Sequence, residues 1–113
     1  MKKYIILIPI YNDRESLTKL IENINSEIKD LNSEISVIVI NDASSQQIID
    51  QYQNTENISS IEIINMKENR GHARCIASGL KYIFKKKEFD YVIPMDGDGE
   101  DRPEEINNFI KLA

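Results

Sequence analysis

The chain has 113 residues, a formal net charge of −5 and 41% hydrophobic residues, a composition typical of one globular domain. The negative charge argues against a broad electrostatic surface for nucleic acid. The single cysteine, Cys75, excludes an intrachain disulfide and fits a reducing compartment. No stretch approaches the roughly 20 apolar residues of a membrane span, so we expect a cytoplasmic protein.

Predicted strands and helices alternate along the whole chain. Apolar runs predict strands at residues 4–10, 34–40, 61–66 and 91–95. Helices are predicted at about residues 17–28, 46–53 and 72–84, with a last one beginning at Pro103. The signals are apolar residues at helical spacing, residues that commonly cap helices, and a proline suited to the first helical turn. This order predicts an α/β fold, a Rossmann-like open and mainly parallel sheet with helices on both faces, formed by residues 1–113 as one unit.

In such a sheet every strand-to-helix loop lies at a strand's carboxyl end, and ligands bind along that edge. The four loops at this edge hold most of the unusual polar residues. They are residues 11–13, 41–42, 69–72 and 96–101. The sequence therefore predicts a single ligand-binding edge built from four separate segments.

The fourth strand ends in Asp96-Gly97-Asp98, two carboxylates separated by one glycine. In a turn, both carboxylates can converge on one hard cation. Two oxygen ligands plus water suit Mg²⁺ or Mn²⁺, which usually complete their coordination with substrate phosphates. The motif therefore indicates a metal held against a nucleotide diphosphate.

Three other interpretations compete for this acidic motif. An EF-hand fails, because Asp101 stands where its glycine belongs and Asn107 where its last glutamate belongs. The nucleophile loop of haloacid dehalogenase phosphatases is similar, with Asp96 or Asp98 as nucleophile, but there Glu100 would be threonine or valine. The motif alone also fits an acidic turn that caps a helix.

Three residues at the ends of the first two strands are candidate contacts for a nucleobase. Tyr11 can stack on a base, and Asp13 can accept a hydrogen bond from it. Both residues also have a plain structural interpretation: Tyr11 can be a half-buried aromatic, and Asp13 can be a helix cap. Asp42 can accept from a base imide or a ribose hydroxyl, or it can simply cap the following helix.

The segment before the third predicted helix is Asn69-Arg70-Gly71-His72. Gly71 permits a tight turn, and a helix start favours anions. His72 or Arg70 can then contact a phosphate or base, although a lone loop histidine is more often an exposed capping residue. We interpret Cys75, inside the helix, as a small core residue.

Four segments together resemble a known family in order and spacing. They are residues 8–13, 39–44, 69–72 with Gly79, and 95–98. The chain resembles the nucleotide-binding half of a family 2 glycosyltransferase with the GT-A fold. Within that family it is most similar to the polyprenyl-phosphate sugar transferases, because Asp101, Pro103 and Glu104 continue their acidic segment.

The resemblance implies a role for each matching residue. A nucleotide-sugar site would be formed by Pro9, Ile10, Tyr11, Asp13, Asp42, Gly71, His72, Asp96 and Gly97. Asp96 and Asp98 would bind Mg²⁺ or Mn²⁺, which as a Lewis acid stabilises the departing nucleoside diphosphate. The donor would be a UDP- or GDP-sugar, and the acceptor, left open by the sequence, can be a polyprenyl phosphate.

The resemblance also implies what this chain lacks. The catalytic base of inverting members would lie beyond Ala113, so we expect a truncated piece of a longer enzyme that binds the donor without transferring the sugar. The full protein would then lie at the cytoplasmic face of the membrane. A sheet edge beside the fourth strand is expected to favour self-association. A flavodoxin-like module that binds a protein partner stays open as a non-catalytic alternative.

Overall fold

The computed structural model describes residues 1–45 and 52–96, together with residues 105, 106, 108 and 110. In the described ranges the elements are β1 (Lys2–Ile10), α1 (Arg14–Glu27), β2 (Ser33–Asn41), β3 (Ser60–Asn65), α2 (His72–Lys86) and β4 (Tyr91–Pro94). The four residues described after position 104 are helical, as predicted for the last helix. The helix predicted at 46–53 falls largely outside the described residues, and its last two positions, Tyr52 and Gln53, are not helical.

The four strands form one parallel sheet in the order β3-β2-β1-β4. The central strand β1 pairs with β2 from Lys2 opposite Ser33 to Ile10 opposite Asn41, and β4 pairs along its other side. The predicted α/β class with a parallel sheet is confirmed. Because all four strands run the same way, their carboxyl ends meet along one edge, which we call the carboxyl edge.

Helices pack on both faces of the sheet, as predicted. Alternate residues of β1 point to opposite faces because the strand period is two. Tyr4, Ile6 and Ile8 join the core with α1, whereas Ile5 and Leu7 join the core with α2. The sheet is therefore buried on both sides, which explains why β1 is a continuous apolar run rather than an alternating one.

Helix α1 follows β1 after a short turn and is fixed at both ends. The Asp13 carboxylate accepts a hydrogen bond from the Ser16 amide at 3.4 Å, which makes Asp13 the N-cap. The buried stripe includes one polar residue, Asn25, which is 3% exposed. Its side-chain oxygen accepts from the Asn57 amide at 2.7 Å, so that this helix also anchors the chain before β3.

Helix α2 lies close against the sheet at Gly79. A Cβ atom at this position would be 2.6 Å from Leu7 Cδ1 and 3.1 Å from Ile40 Cγ1. The buried face of the helix repeats every four residues, at Cys75, Gly79 and Ile83. Because glycine has no side chain, α2 can approach β1 and β2 closely at Gly79. This close approach determines where the start of α2 lies relative to the carboxyl edge.

Candidate functional site

The loops after β1 and β2 are joined by the side chain and backbone of Asn12. The Asn12 amide donates to Ser44 Oγ at 2.8 Å, and Asn12 Oδ1 accepts from the Ser45 amide at 2.7 Å. Asn12 and Ala43 both have left-handed backbone conformations, with φ of 51° and 57°. Such conformations cost energy outside glycine and are concentrated at functional sites. The two loops thus form one pre-shaped surface at the carboxyl edge.

Asp42 joins the end of β2 to the turn that precedes α2. Its Oδ1 accepts from the Arg70 amide at 2.7 Å, and its Oδ2 accepts from the Gly71 amide at 2.9 Å. The residue is only 4% exposed. Asp42 therefore caps the turn before α2. This leaves the predicted contact with a base untested.

The ionisation of Asp42 is set by this environment. Burial raises the pKa of the carboxyl, but the amides of Arg70 and Gly71 and the thiol of Cys75 more than offset it, so the pKa lies below its ordinary value of 3.8. Burial, together with the hydrogen bond to Asp42 and its negative charge, raises the pKa of the Cys75 thiol to about 11. Cys75 is 0% exposed. It is thus a buried thiol with no nucleophilic character, which agrees with its interpretation as a core residue.

The start of α2 is joined in turn to the residue after β4. His72 Nε2 lies 3.0 Å from Asp96 Oδ1, and the two side chains are 61% and 43% exposed. The contacts of Asn12, Asp42 and His72 therefore connect all four segments that follow the strands. Residues from the four predicted loops lie together at the carboxyl edge.

The predicted site residues differ in their exposure. Tyr11 is 53% exposed at the edge, whereas Pro9 and Ile10 are buried within β1. Gly71 has a φ of +87°, a conformation that glycine adopts without strain. Gly97 and Asp98 lie outside the described residues, so their predicted roles stay predictions. Asp13 caps α1, and its contact with a base is likewise untested.

The metal site predicted by the sequence is described only in part. Among the residues that the structure describes, no three His, Cys, Asp or Glu side chains form a cluster suited to a metal ion. Asp96 and His72 form a pair, and the second predicted ligand, Asp98, follows two residues after Asp96. The donor set of carboxylate oxygens still fits a hard divalent cation.

A cavity of about 640 Å³ lies at the end of β3, between the segment that follows this strand and α2. Arg70 from the turn before α2 and Arg74 from its first turns line it, together with Lys67 and Met66 from the segment after β3. Arg70 also forms an ion pair with Glu68. Arg70 is, like His72, a candidate contact for a phosphate or base, but none of the residues that the resemblance assigns to the nucleotide-sugar site lines this cavity, so we treat it as a separate feature.

Sequence reasoning missed the residues that hold the loops together. The sequence did not indicate that Ser44 and Ser45 bind Asn12, although asparagine and serine at strand ends commonly bind neighbouring backbone. The pairing of His72 with Asp96 was also missed. Their separation of 24 positions gives no local signal, because the contact depends on how α2 lies across the sheet.

The described residues contain no helix that is both long enough and apolar enough to cross a bilayer. Comparison with solved structures supports the fold: S. aureus TarS, residues 1–349, superposes with a TM-score of 0.73 at 22% identity. The match covers 99% of this chain and 32% of the TarS chain.

Sequence relatives cover the whole chain. It is 30% identical over 113 residues to the undecaprenyl-phosphate 4-deoxy-4-formamido-L-arabinose transferase of Proteus mirabilis, and 33% identical over 117 residues to the protein of that name from Photorhabdus laumondii. The chain spans about a third, 34%, of the length of each.

The family comparison decides between the interpretations that the sequence left open. Residues 5–113 match the family described as glycosyl transferase family 2. This match favours the glycosyltransferase interpretation over the phosphatase and the flavodoxin-like module. It confirms the resemblance to family 2 glycosyltransferases. The chain belongs to glycosyl transferase family 2.

Proposed function

We propose that this chain is the donor-binding part of a glycosyltransferase, which holds a UDP- or GDP-sugar through Mg²⁺ or Mn²⁺ and presents the sugar to an acceptor. One observation carries the proposal. Three sets of contacts, made by Asn12, Asp42 and His72, join the four segments that follow β1 to β4 into one edge. Ligands of open parallel sheets bind at such an edge.

The nucleoside would lie over the loops after β1 and β2. Tyr11 is exposed there and offers an aromatic face on which a base can stack. Asp42 holds the adjacent turn through two backbone amides, which fixes the start of α2 beside the base. The diphosphate would lie toward that helix start, whose dipole favours negative charge.

The cation would be held by Asp96, together with Asp98, which the sequence places two residues later. When bound, it supplies positive charge that stabilises the nucleoside diphosphate as it leaves the sugar. The role of the protein is to hold the carboxylates at the end of β4 and to keep the nucleotide in register with them. His72 contacts Asp96 at 3.0 Å and so lies within this part of the site.

The acceptor is proposed from the relatives, which are named as transferases that use undecaprenyl phosphate. A polyprenyl phosphate acceptor would place the complete enzyme at a membrane surface on the cytoplasmic side. Because the chain spans about a third of these relatives, transfer itself is expected to need more of the enzyme than these 113 residues.

Isothermal titration calorimetry tests the proposal. The 113-residue chain is titrated with UDP and with GDP, each with and without Mn²⁺, and metal-dependent binding of one nucleotide is expected. Asp98→Ala should abolish the metal-dependent part. Asp30→Ala, which removes an exposed carboxylate after α1, serves as the control and should bind like the wild type. Nucleotide binding that is absent, or the same with and without metal, would contradict the proposal.

A further inference from the structure

We propose that His72 is itself a ligand of the divalent cation that Asp96 holds, and that the site consequently prefers Mn²⁺ to Mg²⁺. This inference rests on the proposed function, because it concerns the same cation. It goes further in assigning a nitrogen ligand from α2 to a site otherwise made of carboxylates. It also changes the expected role of His72 from a neighbour of the nucleotide to a partner of the metal.

The first support is the distance between the two side chains. His72 Nε2 and Asp96 Oδ1 lie 3.0 Å apart. An octahedral ion with ligand distances of about 2.1 Å holds adjacent ligand atoms about 3.0 Å apart. The two atoms therefore already have the spacing of neighbouring ligands, and a cation can bind both without a change in the position of α2 relative to β4.

The second support is that both side chains remain accessible. His72 is 61% exposed and Asp96 is 43% exposed, which leaves space for water and a diphosphate on the same ion. Two other carboxylates described at this edge have structural roles. Asp42 is buried and accepts two backbone amides, and Asp13 caps α1. Among the edge residues that the structure describes, His72 and Asp96 thus bring an accessible imidazole nitrogen and an accessible carboxylate together.

The third support is ligand chemistry. An imidazole coordinates a metal through the lone pair of one nitrogen, so Nε2 must be free of its proton while Nδ1 carries it. The hydrogen bond to Asp96 would be replaced by the shared cation. Mg²⁺ strongly favours oxygen ligands, whereas Mn²⁺ accepts imidazole more readily. A nitrogen ligand therefore shifts the preference of the site toward Mn²⁺.

Pulsed electron paramagnetic resonance of bound Mn²⁺ tests direct coordination. His72 is the only histidine in the sequence, so ¹⁵N-histidine labelling of the 113-residue chain reports on this residue alone. With UDP and Mn²⁺ we expect a nitrogen coupling that changes from the ¹⁴N to the ¹⁵N pattern on labelling. The coupling should vanish in His72→Gln, which folds normally because the residue is exposed.

Calorimetry tests the preference between metals. With UDP present at saturation, His72→Gln should weaken Mn²⁺ binding by about tenfold and change Mg²⁺ binding little. Arg74→Gln is the matched control, since Arg74 lies in the same helix but lines the separate cavity. It should keep the wild-type ratio of the two affinities.

The outcomes separate this inference from the proposed function. Metal-dependent UDP binding without a histidine coupling overturns the inference and leaves the function standing, even if His72→Gln binds metal more weakly. A histidine coupling to Mn²⁺ without binding of either UDP or GDP supports the metal ligand and overturns the nucleotide site. Binding of neither metal nor nucleotide overturns both.

Discussion

Asp42 and Gly71 are 29 residues apart in the sequence, and the Asp42 carboxylate accepts a hydrogen bond from the Gly71 amide at 2.9 Å. With the second hydrogen bond from Arg70, this contact fixes the turn before α2 to the end of β2. A buried carboxylate that binds two backbone amides is rigid and ionised. The candidate site is therefore organised by a residue that acts on the backbone of another loop.

Replacing Asp42 tests this organisation. Asp42→Asn should lower the free energy of unfolding by about 1–3 kcal/mol, because the amide has one acceptor oxygen and leaves a buried N–H without a partner. Urea denaturation of both chains measures the difference. Asp30→Asn, at an exposed position, should change stability by less than about 0.5 kcal/mol. Equal stability of Asp42→Asn and wild type would contradict the assigned role.

The free energy of unfolding of wild type and of Asp42→Asn should also depend differently on pH. The folded pKa of Asp42 is lowered, so its contribution to stability is complete above the ordinary value of 3.8 and is lost as the pH falls through the folded pKa. The stability difference between wild type and Asp42→Asn should therefore be constant near neutral pH and shrink below pH 3.8. A difference that grows in acid would show that the carboxyl is protonated in the folded state.

Cys75 should be unreactive in the folded protein. Its thiol is 0% exposed, and burial with the adjacent Asp42 raises its pKa to about 11. We expect thiol reagents at pH 8 to modify it only as fast as the protein opens, so that the rate increases with urea. Modification within seconds in buffer would mean that the contact between Cys75 and Asp42 does not form.

Gly79 is expected to tolerate no side chain, despite its place within a helix. Alanine would favour the helix by about 1 kcal/mol, but its Cβ would crowd the buried Leu7 side chain, and overpacking of a core costs about 1–3 kcal/mol. Gly79→Ala should therefore unfold at lower urea concentration than wild type. The neighbouring exposed Ser78→Ala should unfold at the same or higher concentration. Stabilisation by Gly79→Ala would show that α2 packs less closely than described.

Much of this fold follows from local patterns in the sequence. The strand bounds agree with prediction within about two residues, because buried runs such as residues 4–10 and their polar ends are strong signals. The grouping of loops at one edge follows from parallel strand order. The contacts between residues of different loops at this edge could not be predicted. The contacts of Asp42 with Gly71 and of His72 with Asp96 depend on where α2 begins and how this helix is rotated. Tertiary packing at Gly79 determines both.

Tyr11 should matter for binding and little for folding. Its side chain is 53% exposed, so Tyr11→Ala should leave the urea midpoint nearly unchanged. Loss of stacking on a base costs about 1–3 kcal/mol, which predicts nucleotide binding weakened by about fivefold or more. Tyr11→Phe keeps the ring and should bind like wild type. If Tyr11→Ala binds as tightly as Tyr11→Phe, the base lies elsewhere.

The central claim is that one edge of the sheet, assembled from four separate segments, binds the nucleotide diphosphate. Two-dimensional ¹H–¹⁵N NMR of the 113-residue chain, titrated with UDP and Mg²⁺, tests it most directly. The largest amide shifts are expected at Asn12, Ser44, Gly71, His72 and Asp96. Shifts confined to the opposite edge, at Lys3, Ser33 and Asp90, or no saturable shifts with either UDP or GDP, would contradict the account.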